Sequence, residues 1–160
     1  MSARFVIDTS SLIRLSRENP RSRYPKIWDR VEELIEKGLL RAPREVRLEL
    51  ERGDDELTEW AKARSELFVD PDKAQTQWLE EILRRFQALV DPDRTSPFAD
   101  PWVVALVLYL NSPEHSVPEN PWIVVAEEQP KGTGSTKIPD ICAAFGLECI
   151  NLIGLFSSIK

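Results

Sequence analysis

Histidine and cysteine are scarce in this chain of 160 residues, which holds one histidine and two cysteines. Two cysteines cannot supply a four-ligand zinc site, and no histidine lies near them in the sequence. Cys142 falls in a predicted helix and Cys149 in a predicted strand, so both are expected to be buried, reduced thiols. Catalytic triads that need histidine would depend on His115, which lies in a loop flanked by prolines. The chain is therefore left with chemistry based mainly on carboxylates.

Long apolar runs are missing as well. No stretch approaches the roughly 20 apolar residues that are needed to cross a bilayer. The first residues enter a strand without the pattern of a signal peptide. We therefore expect a cytoplasmic protein with no membrane partner, folded as a single domain over residues 1–160.

Basic residues do not outnumber acidic ones. The chain has 21 Lys and Arg against 27 Asp and Glu, which gives a net charge of −6. Proteins that bind nucleic acid through a broad surface are usually basic, so this balance argues against that class of protein. An enzyme with a local basic rim is still allowed, and an acidic pocket for divalent cations would itself add negative charge.

Strands and helices alternate along the chain. Short apolar runs predict strands at 4–7, 39–42, 122–126 and 148–151, with a short strand or an extended link at 68–69. Helical patterns are predicted at 10–17, 25–37, 43–52, 54–61, 72–90, 100–110, 138–145 and 152–159. Loops are predicted at 91–97 and, as a mobile segment, at 129–136. The alternation indicates the α/β class, with a central parallel sheet of four to five strands and helices on both faces.

Asp8 stands where the first strand gives way to a helix. Open α/β sheets bind their ligands at the carboxyl ends of the strands, so Asp8 is a candidate ligand-binding residue. Asp8 is equally suited to cap the helix that follows and to interact with its positive end. If Asp8 instead binds a ligand, the hydroxyls of Ser10 and Ser11 are expected to cap the helix.

Further acids share this kind of position. Glu49 lies on a helix after the second strand, and Asp100 starts the most apolar helix. Glu127 and Glu128 follow the strand at 122–126. Carboxyl ends of parallel strands share one edge, so these acids can converge, and a divalent cation would offset their mutual repulsion. Oxygen ligands suit Mg²⁺ or Mn²⁺.

Each of these acids also has a structural interpretation. Glu49 could be a solvated helix residue, because charged helix residues usually face water. Asp100 precedes Pro101, which is a pattern typical of a helix N-cap. Glu127 and Glu128 could be ordinary turn residues. The order and spacing of the acids favour a shared site more than any one of them does.

Four segments resemble motifs of the PIN-domain nucleases, which include the VapC toxins. They are FVIDTSSLI at 5–13, VRLEL at 46–50, ADPWVVA at 99–105 and VVAEE at 124–128. In addition, KIPDIC at 137–142 resembles an uncharacterised PIN-like subfamily. The resemblance covers nearly the whole chain, with the motifs in the family's order.

The resemblance implies a single three-layer PIN-like domain that hydrolyses RNA phosphodiester bonds with Mg²⁺ or Mn²⁺. Asp8, Glu49 and Asp100 would hold the metal, and Glu128 would complete the site or orient the attacking water. The chain departs from the family pattern at Ala126, where a hydroxyl residue is usual, and at Glu128, where Asp is usual. Glu127 is therefore an alternative fourth acid. A toxin role implies a cognate antitoxin protein and a possible homodimer.

Several other residues are candidates for supporting roles. Ser10 could hydrogen-bond Asp8 or a water on the metal, or it could cap the helix. Arginines bind phosphate well, so a basic stretch near Asp8 and two lysines around the 129–136 loop are candidate RNA contacts, although such residues often only solvate a surface. The candidates are Arg14, Arg17, Arg21, Arg23, Lys131 and Lys137. The five tryptophans lie in apolar patterns and are expected in the core.

Two alternative functions remain. A PIN fold with a weakened fourth ligand could be a binding or scaffold protein without activity. Another Mg²⁺-dependent phosphohydrolase could use a similar sheet, although the Asp-x-Asp motif of one such class is absent because Ser10 takes the second position.

Overall fold

The structure is a computed structural model that describes residues 2–53, 55–87, 99–128 and 137–159. The predicted loops at 91–97 and 129–136 lie outside the described residues, as do Lys131 and the last part of the helix predicted at 72–90.

Five short strands form one sheet. They are β1 Arg4–Ile7, β2 Leu40–Pro43, β3 Phe68–Val69, β4 Trp122–Val125 and β5 Cys149–Ile150. The strand order is β3-β2-β1-β4-β5, and every neighbouring pair is parallel. β1 is central, and Ile7 pairs with Val125 where β1 and β4 end. The predicted α/β class and parallel sheet are confirmed, and the uncertain segment at 68–69 is an edge strand.

Helices connect the strands and cover the sheet in three layers. Those in the described ranges are α1 Thr9–Glu18, α2 Pro25–Glu36, α3 Arg44–Leu50, α4 Glu56–Lys62, α5 Lys73–Arg85, α6 Asp100–Leu110, α7 Ile138–Ala144 and α8 Leu152–Ser158. A 3₁₀ turn at Ser65–Leu67 precedes β3. Gly38 has φ +72°, the left-handed conformation that ends a helix without steric strain, and it follows α2 as the sequence predicts. None of the helices in these ranges is long and apolar enough to span a membrane.

The core explains why α6 is apolar on nearly every side. Residues 103–108 are all buried, because α6 packs on β1, β2 and β4 and is covered in turn by α5. Both faces of β1 are covered, since Phe5, Val6 and Ile7 are each 0% exposed. Tight packing around β1 and α6 holds the ends of these elements, and hence the acids that follow or start them, in fixed positions.

The tryptophans contribute to this core as predicted, with one exception. Trp28 and Trp60 are buried and meet edge to face, with their ring centroids 5.1 Å apart. Trp122 is buried, and Trp78 is half-buried against the core. Trp102 is half-buried.

Candidate metal centre

Three carboxylates meet at the carboxyl edge of the sheet. Asp8, Asp100 and Glu128 each offer an oxygen, and these three oxygens all lie within 4.8 Å of one another. Asp8 directly follows β1, Glu128 follows the neighbouring β4, and Asp100 is the first residue of α6, which packs on both strands. The structure therefore brings together three of the four acids that the sequence selects.

Asp8 is both a buried acid and a helix cap. Its side chain is almost completely buried, at 1% exposure. Its Oδ1 accepts the backbone N–H of Ser11 at 2.8 Å, and its Oδ2 accepts the hydroxyl of Ser10 at 2.7 Å. The expectation that Ser10 and Ser11 cap α1 is wrong. Asp8 has an extended backbone directly before the first helical residue, so its own carboxylate reaches the free N–H of the first turn.

Burial raises the pKa of Asp8 to about 6, because the ionised form loses its hydration. The hydrogen bonds from Ser11 and Ser10 lower this pKa, and the negative charge of Glu128 raises it. The carboxylate therefore stays ionised at neutral pH, but at a free-energy cost that a bound cation would remove.

Asp100 does not cap α6. Ala99 is the N-cap, and the helix starts without a side-chain cap. Asp100 occupies the first turn, and its carboxylate lies with those of Asp8 and Glu128. A negative charge is favourable there, because the N-terminal end of a helix carries partial positive charge.

Glu127 and Glu128 have different partners. Glu127 Oε1 accepts the N–H of Leu152 at 2.7 Å, and its Oε2 accepts from Arg14 Nη1 at 2.8 Å. Glu128 Oε2 accepts the N–H of Ile138 at 3.4 Å and lies 3.9 Å from Lys137 Nζ. The structure thus brings Glu128 into the carboxylate group and uses Glu127 to join α1 to the start of α8.

Glu49 is held beside the carboxylate group. Its Oε1 accepts the hydroxyl of Thr9 at 3.0 Å and the backbone N–H of Ala99 at 3.1 Å. Glu49 is not among the residues whose oxygens lie within 4.8 Å of one another. Direct ligation by Glu49 stays a prediction. Sequence reasoning missed Thr9, although its place directly after Asp8 was a usable signal.

A family model described as "Domain of unknown function (DUF4411)" matches residues 5–160. The chain belongs to this family. The matched range contains all four selected acids, Thr9 and the 137–142 segment. Among curated proteins, none matches the chain.

The predicted basic residues of this DUF4411 member differ in their surroundings. Arg14 pairs with Glu18 at 3.0 Å and with Glu127, and Arg21 lies 3.7 Å from Glu32. Arg17, one turn after Arg14, and Arg23 are exposed to solvent. Arg14 and Arg21 therefore already have structural partners, whereas Arg17 and Arg23 offer their side chains to solvent on the side of α1.

The two cysteines are free thiols that hydrogen-bond each other, and Cys142 is buried. The hydrogen bond to Cys149 and burial raise the pKa of the Cys142 thiol. The expectation that both thiols are buried is wrong for Cys149, which is only half-buried because β5 is a two-residue strand at the sheet edge.

The chemistry of the donors fits a hard divalent cation. All three converging side chains are carboxylates, and one of them is buried with a raised pKa. Such oxygen ligands suit Mg²⁺, Mn²⁺ or Ca²⁺, and a cation between them would offset their repulsion. The edge of the sheet thus holds a group of acidic residues that can bind a metal.

Replacing Asp8 with Asn should stabilise the protein at pH 7 without added metal. An acid whose pKa is raised on folding destabilises the folded state above that pKa, and this effect fades as the pH falls from about 6 towards 4. A pKa difference of about 2 corresponds to at most about 3 kcal/mol. Asn keeps the cap on Ser11, so the melting temperature of Asp8→Asn should exceed that of wild type by several degrees at pH 7, and the gap should close near pH 4.

The matched control is Asp55→Asn, which also changes an N-cap aspartate. Hydrogen bonds from Thr58 lower the pKa of Asp55, so the ionised form stabilises the fold and Asn should bring no gain at pH 7. Equal melting temperatures for wild type and Asp8→Asn across this pH range would show that Asp8 is not strained by burial.

Metal affinity should depend on pH through the same carboxylate. Binding requires ionised Asp8, so the affinity for Mn²⁺ should be constant well above pH 6 and fall below it, by up to about tenfold per pH unit if one proton is displaced. Calorimetric titration with Mn²⁺ between pH 5 and 8 measures this. An affinity that does not change between pH 7 and 5 would contradict a role for Asp8 as ligand.

Proposed function

We propose that this protein is a metal-dependent endoribonuclease of the PIN type, which hydrolyses RNA phosphodiester bonds. The observation that carries the proposal is the convergence of Asp8, Asp100 and Glu128 at the carboxyl edge of a parallel sheet. Mg²⁺ or Mn²⁺ is the proposed cofactor, with these three residues as its ligands. Such a cation activates water as a nucleophile and stabilises the negative charge that develops on a reacting phosphodiester.

The side chains around the acids support this chemistry by limiting movement. Ser10 and Ser11 hold both oxygens of Asp8, and the start of α7 holds one oxygen of Glu128 through Ile138. Ligands held by hydrogen bonds to other elements need little rearrangement when a cation and a substrate bind. Lys137, next to Glu128, places a positive charge where a phosphate group would approach.

The RNA substrate is proposed from the resemblance of four ordered motifs to PIN-domain nucleases. The same resemblance is the basis for proposing a toxin of a toxin–antitoxin pair, with a cognate antitoxin protein and a homodimer as partners and with a cytoplasmic location. Exposed Arg17 and Arg23 support an RNA path along α1, because they lie near Arg14, which contacts Glu127. An acidic protein with a few exposed arginines beside its site fits an enzyme better than a broad RNA-binding surface.

Wild-type protein should cleave single-stranded RNA only with Mn²⁺ or Mg²⁺. Asp8→Asn and Asp100→Asn should each lower kcat by at least about 100-fold, the order of loss when one stabilising group for the transition state is removed. Asp29→Asn, which changes an exposed aspartate on α2, is the control and should keep full activity. Cleavage is measured on purified protein with labelled RNA, before and after chelation with EDTA.

The same assay separates the alternative functions. Wild-type protein that binds Mn²⁺ but cleaves no RNA would favour a binding or scaffold protein, in line with the change to Glu at 128 and Ala at 126. Hydrolysis of small phosphate esters without cleavage of RNA would favour another phosphohydrolase. Cleavage that survives in Asp8→Asn would overturn the proposed site.

Removing the exposed arginines should weaken RNA binding without changing the chemical step. The double variant Arg17→Ala, Arg23→Ala should raise KM several-fold, leave kcat unchanged and reduce the salt dependence of binding, by about 0.7 in the log–log slope for each phosphate contact with a single strand. Lys62→Ala, which removes an exposed cation from α4, is the control for charge alone. An unchanged salt slope would exclude these arginines from the RNA path.

A further inference from the structure

Glu49 connects the two chain segments that carry the aspartates of the site. The same oxygen, Oε1, accepts the Thr9 hydroxyl at 3.0 Å and the Ala99 N–H at 3.1 Å. Thr9 directly follows Asp8, and Ala99 directly precedes Asp100. Building on the proposed function, we propose that Glu49 is a positioning residue that fixes Asp8 and Asp100 relative to each other, with Thr9 as its partner.

The contacts have the properties of a built connection. They join α3 to residues 40 and 50 positions away in the sequence, so no local turn produces them. Thr9 is 9% exposed and Ala99 is 1% exposed, and hydrogen bonds in such surroundings are poorly replaced by water. Breaking them would leave a buried hydroxyl and a buried N–H without their acceptor.

The start of α6 gives Glu49 a specific task there. This helix begins at Ala99 without a side-chain cap, and alanine has no group that could provide one. Glu49 supplies an acceptor from another helix and brings a negative charge to the positive end of α6. The cap is thus provided from α3, while the carboxylate of Asp100 lies in the acid group.

A positioning role and a ligand role predict different results for one substitution. The amide oxygen of Gln can accept both hydrogen bonds, but Gln carries no charge for a metal. Glu49→Gln should therefore keep Mn²⁺ affinity and kcat within about threefold of wild type, whereas Glu49→Ala should lower Mn²⁺ affinity by about 10- to 100-fold, the range seen when a group behind a metal ligand is removed.

Thr9 gives an independent pair of variants. Thr9→Ser keeps the hydroxyl that donates to Glu49 and should behave like wild type. Thr9→Val keeps the shape but removes the donor, so it should lower Mn²⁺ affinity in the same direction as Glu49→Ala and by less. Glu51→Gln, an exposed position at the end of the same helix, controls for the loss of one negative charge on α3.

The experiment measures Mn²⁺ binding by calorimetry and RNA cleavage for these variants, after circular dichroism has shown that each is folded. A loss of Mn²⁺ affinity in Glu49→Gln as large as in Asp8→Asn would make Glu49 a ligand and overturn the inference alone. Wild-type affinity in both Glu49→Ala and Thr9→Val would also overturn it. Wild-type protein that binds no Mn²⁺ would overturn the proposed function and this inference together. If Glu49→Ala does not fold, the comparison of Glu49→Gln with Asp8→Asn still decides.

Discussion

The carboxylate of Asp8 is shielded from water at the end of the central strand, and its ionised form has to be stabilised by what surrounds it. Burial is the largest cause of its raised pKa, and the hydrogen bonds from Ser10 and Ser11 only partly compensate. Two more carboxylates share the same edge, so repulsion adds to the cost. An arrangement that is unfavourable without a cation is typical of a site shaped by function rather than by stability.

The fold reduces this cost with the positive ends of its helices. Four acids at this edge each accept a backbone N–H from the start of a different helix, namely α1, α6, α8 and α7. The acids are Asp8, Glu49, Glu127 and Glu128, and their donors in the same order are Ser11, Ala99, Leu152 and Ile138. The first N–H groups of a helix have no partner within the helix, and its dipole favours negative charge there. A parallel α/β sheet places helix starts next to strand ends, so the edge that collects acids also supplies their donors.

This view shows which features the sequence could predict. The alternation of strands and helices predicts the parallel sheet, and acids next to strand ends predict a common edge, as the structure shows for Asp8, Asp100 and Glu128. The role of Asp8 as a cap could be stated only as one of two options, because capping and burial depend on the same local pattern. The structure shows that one carboxylate does both, since each of its oxygens has its own donor.

Other features depend on tertiary contacts that no local pattern contains. The direction of the Glu49 side chain is set by Ala99, 50 positions away, and the half-exposure of Cys149 follows from the position of β5 at the sheet edge. Helical spacing reports that Glu49 lies next to an apolar face, but it does not report which backbone group that face meets.

The adjacent acids Glu127 and Glu128 show how the end of a strand can serve two purposes. Consecutive residues in extended backbone send their side chains to opposite sides, so one side chain points to α1 and α8 and the other to α7 and the acid group. Glu127, held by Arg14 and by the N–H of Leu152, fixes the end of β4 from one side. Glu128 can then extend from a fixed backbone towards Asp8, and the longer side chain of Glu compared with Asp is restrained by Ile138 and Lys137 at the start of α7. The position of the third carboxylate therefore depends on the packing of α7, the helix that begins with the 137–142 segment, as much as on β4.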